Sequence, residues 1–317
     1  MRKLSSLIKD PVRRLVNFPR YGAVGLHDPQ QQVAVWLHGA GEPMHVTYNN
    51  VVVALRPFTI GVMFNREGSQ IAGSKLVQLS FYERSRSNRL LGLLHLRLVQ
   101  NIRLPEHCFG LFECQGCENH SVPAFSLRLY YLNERWRSWV RQRKNPYNFL
   151  MTTSDLRCNY VFYICPRPVV LVTVEHEDHS NMFPMDLIGP TDSPWYSMAL
   201  RSTSPAIRLM QQSGRMALAS APITQKAVVY EMGKHHKLTS IDWSALPFRT
   251  TSSPLFGLRV PEAALRLREV RVKEHHVVGS HVLFITSIER ETIPESLPQG
   301  DDGLQLFHSF ASYRQFR

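Results

Sequence analysis

The sequence contains few cysteines and no long apolar run, and each absence excludes a class of protein. Its 5 cysteines in 317 residues are an odd, sparse set, which indicates free thiols in a reducing compartment rather than a disulfide-stapled fold. A helix needs about twenty consecutive apolar residues to cross a bilayer, and the apolar runs here are much shorter. We therefore expect a soluble, cytoplasmic protein with no membrane partner.

Signatures of nucleic-acid recognition are also missing, although the chain is basic. The formal net charge is +12 and the pI is about 9.7, yet no recognition-helix pattern, zinc finger or aromatic RNA-binding motif is present. Along residues 266–271 basic and apolar residues alternate, as they do on a strand with one solvated face. The charge favours an anionic partner, and we expect a small molecule rather than nucleic acid.

The sequence does contain enough apolar residues for two packed domains. Hydrophobic residues make up 44% of the chain and aromatic residues 10%, and the length exceeds that of one average domain. We divide the chain into a basic N-terminal arm (1–25), a β-rich domain of unknown role (26–130), an amphipathic helix with a linker (131–150) and a second domain (151–317).

Six apolar segments between turns predict strands in the β-rich domain, and they lie at residues 33–37, 51–55, 60–64, 76–82, 90–99 and 109–114. The segment 49–57 loosely echoes the Arg-Pro strand that begins the second domain. The echo leaves open whether the first domain is a related, degenerate barrel.

A helix is predicted between the two domains. Trp136, Trp139 and Val140 occur at helical spacing among arginines over residues 131–144. We expect the tryptophans to pack against a barrel while the arginines are solvated. A helix that docks a partner is the functional alternative.

Cys114 and Cys117 form a Cys-x-x-Cys turn, which is the one candidate for a metal site. Zinc accepts a thiolate pair of this spacing, but no second such pair and no suitably spaced histidine pair follows. We expect no bound metal and keep these two cysteines as weak candidates.

The second domain begins with the most informative pattern in the chain. A Pro-bounded β-branched run at 166–174 is followed by a polar turn and a second apolar run that stops at Gly189-Pro190. A third strand at 197–200 leads to a helix start at 201–205 and a helix over 206–213 that ends at Gly214. The helix start gathers an arginine, hydroxyls and free backbone N–H groups, which suits a bound phosphate.

In this order, and with Gly279-Ser280-His281 before a late apolar strand, the segments resemble the flavin reductase-like family with its FMN-binding split barrel. The resemblance covers roughly residues 157–317 and implies a mainly β fold. The closing strand at 306–308 with Tyr313 resembles the end of that family's domain. The resemblance implies that the hairpin holds the flavin ring, that the helix start holds its phosphate and that His281 is the catalytic residue beside the flavin. The implied cofactor-binding residues are Asn181, Met182, Met185, Asp186, Leu187, Ile188, Arg201, Ser202, Thr203, Ser204, Ser280 and His281.

The resemblance implies an FMN-binding oxidoreductase that moves hydride or electrons between NADH or NADPH and flavin. A non-enzymatic flavin carrier or sensor, and a degenerate scaffold that has lost flavin, are the alternatives. Met182, Met185 and Asp186 occupy hairpin positions where the family usually has small or hydroxyl residues. The bulk of the methionines favours the carrier if it blocks stacking of the nicotinamide, and the acid would repel a reduced, anionic flavin. The family also implies a homodimer, or an internal pseudo-dimer if the N-terminal domain covers the open flank of the barrel.

The polar excursion at 233–254 is expected on the barrel rim, with Asp242 capping a helical turn. Lys234, His235 and Trp243 are candidates there for substrate or nicotinamide contact, while a surface loop with a buried Trp anchor is the plainer interpretation.

Overall fold

The computed structural model describes residues 20–28, 32–39, 41–65, 76–84, 88–144, 150–294 and 302–311. Most of the predicted N-terminal arm, the linker residues 145–149 and Tyr313 lie outside the described residues. Within the described part of the chain, no helix has the length and apolar character needed to cross a membrane.

The first half of the chain is β-rich, as predicted. Each of the six predicted strands is present, and each extends one to several residues further than the sequence pattern indicated. The structure adds two strands that were not predicted, β1 (Arg20–Leu26) and β3 (Met44–His45). The six predicted ones are β2 (Val33–His38), β4 (Asn50–Leu55), β5 (Phe58–Asn65), β6 (Leu76–Glu83), β7 (Leu90–Arg103) and β8 (His107–Asn119).

Two helices connect this half to the second. They are α1 (Ala124–Lys144) and α2 (Thr153–Phe162). The second half follows with β9 (Arg167–Pro168), β10 (Val170–His176), β11 (His179–Met185), β12 (Ile188–Pro190), β13 (Trp195–Arg201), α3 (Ala206–Ser213), β14 (Arg215–Ser220), α4 (Lys226–Glu231), β15 (Thr250–Ser252), β16 (Arg259–Pro261), β17 (Arg266–Val278), β18 (His281–Thr292) and β19 (Gln305–Ala311).

Two seven-stranded antiparallel sheets dominate the fold, and they have the same topology. The strand order is β3-β2-β6-β7-β8-β5-β4 in the first and β11-β10-β14-β17-β18-β13-β12 in the second. When the strands of each sheet are numbered in chain order, the two orders are identical. The prediction of a mainly β protein is therefore confirmed, and the identical strand orders answer the question left open by the sequence: the N-terminal domain has the topology of the C-terminal one.

The sequence similarity that first raised this idea matches two strands that are not equivalent in the two sheets. In the matched topologies β4 corresponds to the short strand β12, whereas β10 corresponds to β2. The valine-rich segment of β4 resembles the later Arg-Pro strand because β4 is buried almost throughout. A strand covered on both faces reads as a continuous apolar run wherever it occurs in the fold.

The two sheets pack against each other through an apolar layer. Its members come from β4, β5, the end of β7, β8 and the turn between β7 and β8 in the first sheet and from β18 in the second, and the buried ones are Val51, Val53, Met63, Ile102, Leu104, Phe109, Leu111, Leu283 and Ile285. At the edge of this layer, the turn between β17 and β18 contacts the turn between β4 and β5, and the start of β8 contacts the equivalent turn between β12 and β13. Ser280 N donates to Arg56 O at 3.0 Å on one side, and His107 lies 3.6 Å from Asp192 on the other. The halves thus form an approximate internal pair.

Helix α1 begins seven residues before its predicted start and buries a different face. Tyr130 is buried against Tyr160 and Phe310, whereas Trp136 and Trp139 are 61% and 49% exposed. The expectation that the tryptophans pack against a barrel was therefore wrong. Tyrosines four and five residues before the arginine-rich segment fill that contact instead.

The cysteines are free thiols. Cys114 lies in β8 and donates to the Sγ atom of Cys158 in α2 at 2.7 Å, so it joins the first sheet to the connecting helix. No group of three His, Cys, Asp or Glu side chains suited to a metal ion occurs among the residues that the structure describes.

Candidate functional site

A cavity of about 570 Å³ lies where the second sheet meets the first half of the chain. The C-terminal half contributes the segment after β11, the end of β13, the start of α3 and the beginning of β18. The N-terminal half contributes Leu55 at the end of β4, and the connecting segment contributes Met151, Asn159 and Tyr163. Neither half encloses this space alone.

The wall on the hairpin side is formed by residues 184–187. Strand β11 ends at Met185 and β12 begins at Ile188, so Asp186 and Leu187 lie between the two strands. Leu187 O accepts a hydrogen bond from Ala199 N at 2.8 Å, which fixes this short connection to β13.

The helix start forms another part of the cavity wall. Arg201, Thr203, Ser204 and Pro205 line the cavity. Helix α3 spans the residues predicted for it and ends at Gly214, whose φ of 64° is the left-handed conformation that glycine adopts without strain. Ser204 Oγ donates to His236 O at 3.1 Å, and α3 has no side-chain cap at its start. A helix start without a side-chain cap favours an anion at that position.

His281 borders the cavity at the first position of β18. The residue is fully buried, and its Nδ1 lies 2.9 Å from Ser280 Oγ. Burial and, to a smaller extent, the charge of Arg201 lower the pKa of the imidazole to about 4, while Asp186 opposes the shift. The ring is therefore neutral at pH 7 and offers one donor and one acceptor.

The turn before His281 requires glycine. Gly279 has a φ of 52°, and a Cβ there would lie 2.5 Å from Arg56 O in the first half of the chain. The Gly-Ser-His sequence therefore positions the imidazole and also allows close contact between the two halves.

Asp186 is the acidic group of the cavity wall, and it is connected to the surface. His308 Nδ1 lies 2.8 Å from the Asp186 carboxylate, and Tyr230 OH lies 2.9 Å from His308 Nε2. If His308 donates its Nδ1–H to the carboxylate, its Nε2 accepts from the tyrosine. Tyr230 is 46% exposed, so this chain of hydrogen bonds reaches from the cavity to solvent.

The rim is completed by the turn Met232–Lys237. His235 Nδ1 and His236 Nε2 donate to Met182 O and Pro184 O at 2.8 and 2.6 Å. These carbonyls are available because β11 is an edge strand of its sheet. Burial lowers the pKa of His236, partly offset by its bond to Pro184. The turn thereby holds Gly233, His236 and Lys237 in the cavity wall.

Seven of the twelve residues proposed from the sequence border the cavity, and they are Met185, Asp186, Leu187, Arg201, Thr203, Ser204 and His281. The others lie elsewhere. Asn181 is buried and donates its amide to His235 O and Leu238 O, at 3.1 and 2.7 Å, while Met182 and Ile188 are in the apolar core. Ser202 N donates a hydrogen bond to Ser280 O at 3.1 Å, and neither residue lines the cavity.

On the rim, the residues that line the cavity are close in sequence to the candidates but are not the candidates themselves. His236 and Lys237 line the cavity, whereas His235 is buried behind them and Lys234 is exposed. Trp243 donates its Nε1–H to Ser180 Oγ at 2.7 Å and packs on the core, as an anchor of the excursion. Asp242 caps the turn through a 2.9 Å bond from Ser244 N, as predicted.

Sequence reasoning missed Leu55, Met151, Asn159 and Tyr163 altogether. Asp155 of α2 accepts a hydrogen bond of 2.9 Å from Phe58 N, and this bond attaches the helix to the first sheet. No local motif marks these residues, because they reach the cavity only through the packing of the two halves.

Comparison with known proteins identifies the second half. A family model described as "Flavin reductase like domain" matches residues 162–317. Over these residues the chain is similar to a flavin reductase-like domain, the name used below for this half. No significant match was found among curated proteins.

Several solved structures resemble the flavin reductase-like domain. An FMN-binding protein from Thermus thermophilus is 21% identical, with 48% of this chain and 90% of that chain covered and a TM-score of 0.40. The flavin reductase of a styrene monooxygenase from Pseudomonas putida S12 is 19% identical, with 44% and 88% covered and a TM-score of 0.38. An NADH:FAD oxidoreductase from Streptomyces globisporus is 13% identical, with 52% and 94% covered and a TM-score of 0.42.

Proposed function

We propose that this protein binds FMN in the cavity between its two halves and transfers hydride or electrons between NADH or NADPH and that flavin. The observation that carries the proposal is the position of the cavity. Within the flavin reductase-like domain, the hairpin connection, the uncapped helix start and the Gly-Ser-His turn converge on one space.

The residues present fit such a cofactor. A volume of about 570 Å³ lies within the usual range for small-molecule and cofactor sites. Arg201, with the hydroxyls and backbone N–H groups of residues 203 and 204, would hold the phosphate through charge-assisted hydrogen bonds. The flavin ring would lie along residues 184–187, where Met185 and Leu187 offer apolar surface beside backbone polar groups.

Bound FMN would supply the redox chemistry, and the chain would orient it and manage charge and protons. His281, neutral at pH 7, would hydrogen-bond the flavin or nicotinamide without adding charge. Asp186 would pass a proton between the cavity and solvent through His308 and Tyr230. Hydride transfer itself delivers the hydrogen with both electrons, so this relay would serve only a separate protonation or deprotonation of the flavin. Arg201 and Lys237 would attract the anionic nucleotides into the cavity.

We further propose that one chain completes the site alone. Leu55 and the residues of α2 cover the flank of the flavin reductase-like domain that a second subunit would otherwise cover. The matching topology of the two sheets supports this internal pseudo-dimer.

Arg201→Ala tests the flavin site. Loss of one charged hydrogen-bond donor costs about 1.5–3 kcal/mol, so the Kd for FMN should rise roughly tenfold or more. Fluorescence titration measures it. Arg215→Ala is the matched control, since Arg215 is an exposed arginine just beyond α3. Equal FMN affinity in the Arg201 variant and the wild type would refute the phosphate assignment.

A further inference from the structure

Helix α1 presents an apolar stripe to solvent instead of to the core. The stripe consists of Phe125, Leu132, Trp136 and Trp139, whose relative exposures are 69%, 64%, 61% and 49%. Their separations of seven, four and three residues place them on one face of the helix. Tyr130 and Ser126 are buried on the other side of the same helix. Four large exposed apolar side chains in one row mark an interaction surface.

Basic side chains accompany the stripe. Arg128 and Arg135 are exposed at positions three or four residues from its members. The guanidinium of Arg143 lies 3.9 Å from the ring centre of Trp139. The nearby carboxylate, Glu134, is engaged by Arg137 at 3.2 Å. The surface therefore combines exposed aromatic groups with a positive charge.

Exposed aromatic groups together with positive charge limit the kinds of partner that could bind the stripe. A second copy laid stripe against stripe would bring Arg128 and Arg135 of both copies together, and like charges repel. A single-stranded nucleic acid would stack its bases on open aromatic faces, but Arg143 already covers one face of Trp139. An anionic lipid surface satisfies both features, because the aromatic row enters the headgroup boundary while the arginines meet lipid phosphates.

We propose that α1 docks this protein on an anionic phospholipid surface. The helix has 21 residues and is therefore about 30 Å long, and it would lie in the plane of the surface without crossing the bilayer. The expectation that the protein has no membrane partner was drawn from the lack of long apolar runs. Apolar runs report spanning segments, whereas a surface helix is recognised by which of its faces is exposed.

The test is flotation of the full-length protein with vesicles of phosphatidylcholine alone and of phosphatidylcholine with about 30% phosphatidylserine. The wild type should float with the anionic vesicles only. Trp136→Ala with Trp139→Ala should lower the bound fraction at least about tenfold, and Arg128→Glu with Arg135→Glu should do the same. The control is Leu76→Ala with Val277→Ala, two side chains 67% and 75% exposed outside α1, and it should bind as the wild type does.

Circular dichroism and thermal unfolding should match the wild type for the tryptophan variant, because both side chains are solvent-exposed. Equal flotation of the tryptophan variant and the wild type would overturn the proposal. Failure of the wild type to float would overturn it too. A wild-type dimer in light scattering that the tryptophan variant dissociates, without vesicle binding, would assign the stripe to a second copy. Binding of a single-stranded oligonucleotide in place of vesicles would assign it to nucleic acid.

Discussion

Replacement of His281 by alanine should slow reduction of bound FMN by NADH or NADPH roughly a hundredfold while FMN affinity changes little. The imidazole borders the cavity and is held by Ser280 Oγ at 2.9 Å, and the phosphate is assigned instead to the helix start and to Arg201, the residue opposite His281 on β13. Its proposed role is orientation of the flavin or nicotinamide. Loss of reacting geometry commonly costs about a hundredfold in rate. Stopped-flow measurement of flavin bleaching in the fully FMN-loaded variant gives the value.

His275→Ala is the control for this measurement, because His275 is an exposed histidine on the same β17–β18 hairpin. It should reduce at the wild-type rate. An unchanged rate in the His281 variant would leave that residue a structural role only. Failure of either nicotinamide to bleach the wild-type flavin would favour the carrier or sensor alternative over the reductase.

Acid should destabilise the protein through the same residue. The pKa of His281 is about 4 in the folded chain and 6.5 as the ordinary value, so between these pH values the unfolded chain binds a proton there and the folded chain does not. The stabilisation associated with neutral His281 is fully present above about pH 6.5 and is lost as the pH falls toward about 4. Linkage predicts a loss of about 2 kcal/mol in the free energy of unfolding between pH 7 and pH 5 from this group alone.

Urea unfolding of the flavin-free protein at pH 7 and pH 5 measures this loss, with His281→Gln as the reference. The variant has no titrating group at this position, so its stability should fall by about 2 kcal/mol less over the same interval. Other histidines with a lowered pKa, such as His236, act in both proteins and cancel. Identical pH dependence in the two proteins would show that His281 is not held neutral by burial.

Local pattern was sufficient for much of the C-terminal architecture. The Ser-Pro start and Gly214 stop delimit α3 because the backbone preferences of a proline at the helix start and of a left-handed glycine at its end depend only on adjacent residues. Apolar runs between turns located the strands of both halves for the same reason. The sequence therefore predicted the hairpin and the helix start, and with them the residues of these two segments that border the cavity.

Contributions that depend on long-range packing were not predictable. Met182 and Met185 lie three positions apart on β11 and so face opposite sides of the sheet, but which side carries the cavity depends on packing: Met182 is buried in one core cluster, and Met185 is buried in another at the cavity wall. Leu55 reaches the cavity only because two sheets of the same topology pack face to face. The tryptophans of α1 were assigned to the core because apolar periodicity gives the face of a helix but not the direction in which that face points.

The central claim is that one chain, with its two matched halves, forms one complete flavin site. Its most direct test is titration of the purified protein with FMN combined with light scattering of the loaded species. The account predicts saturation at one FMN per chain in a particle with the mass of one 36.5 kDa chain. Protein that stays colourless with added FMN, or that binds FMN only as a dimer of chains, would contradict it.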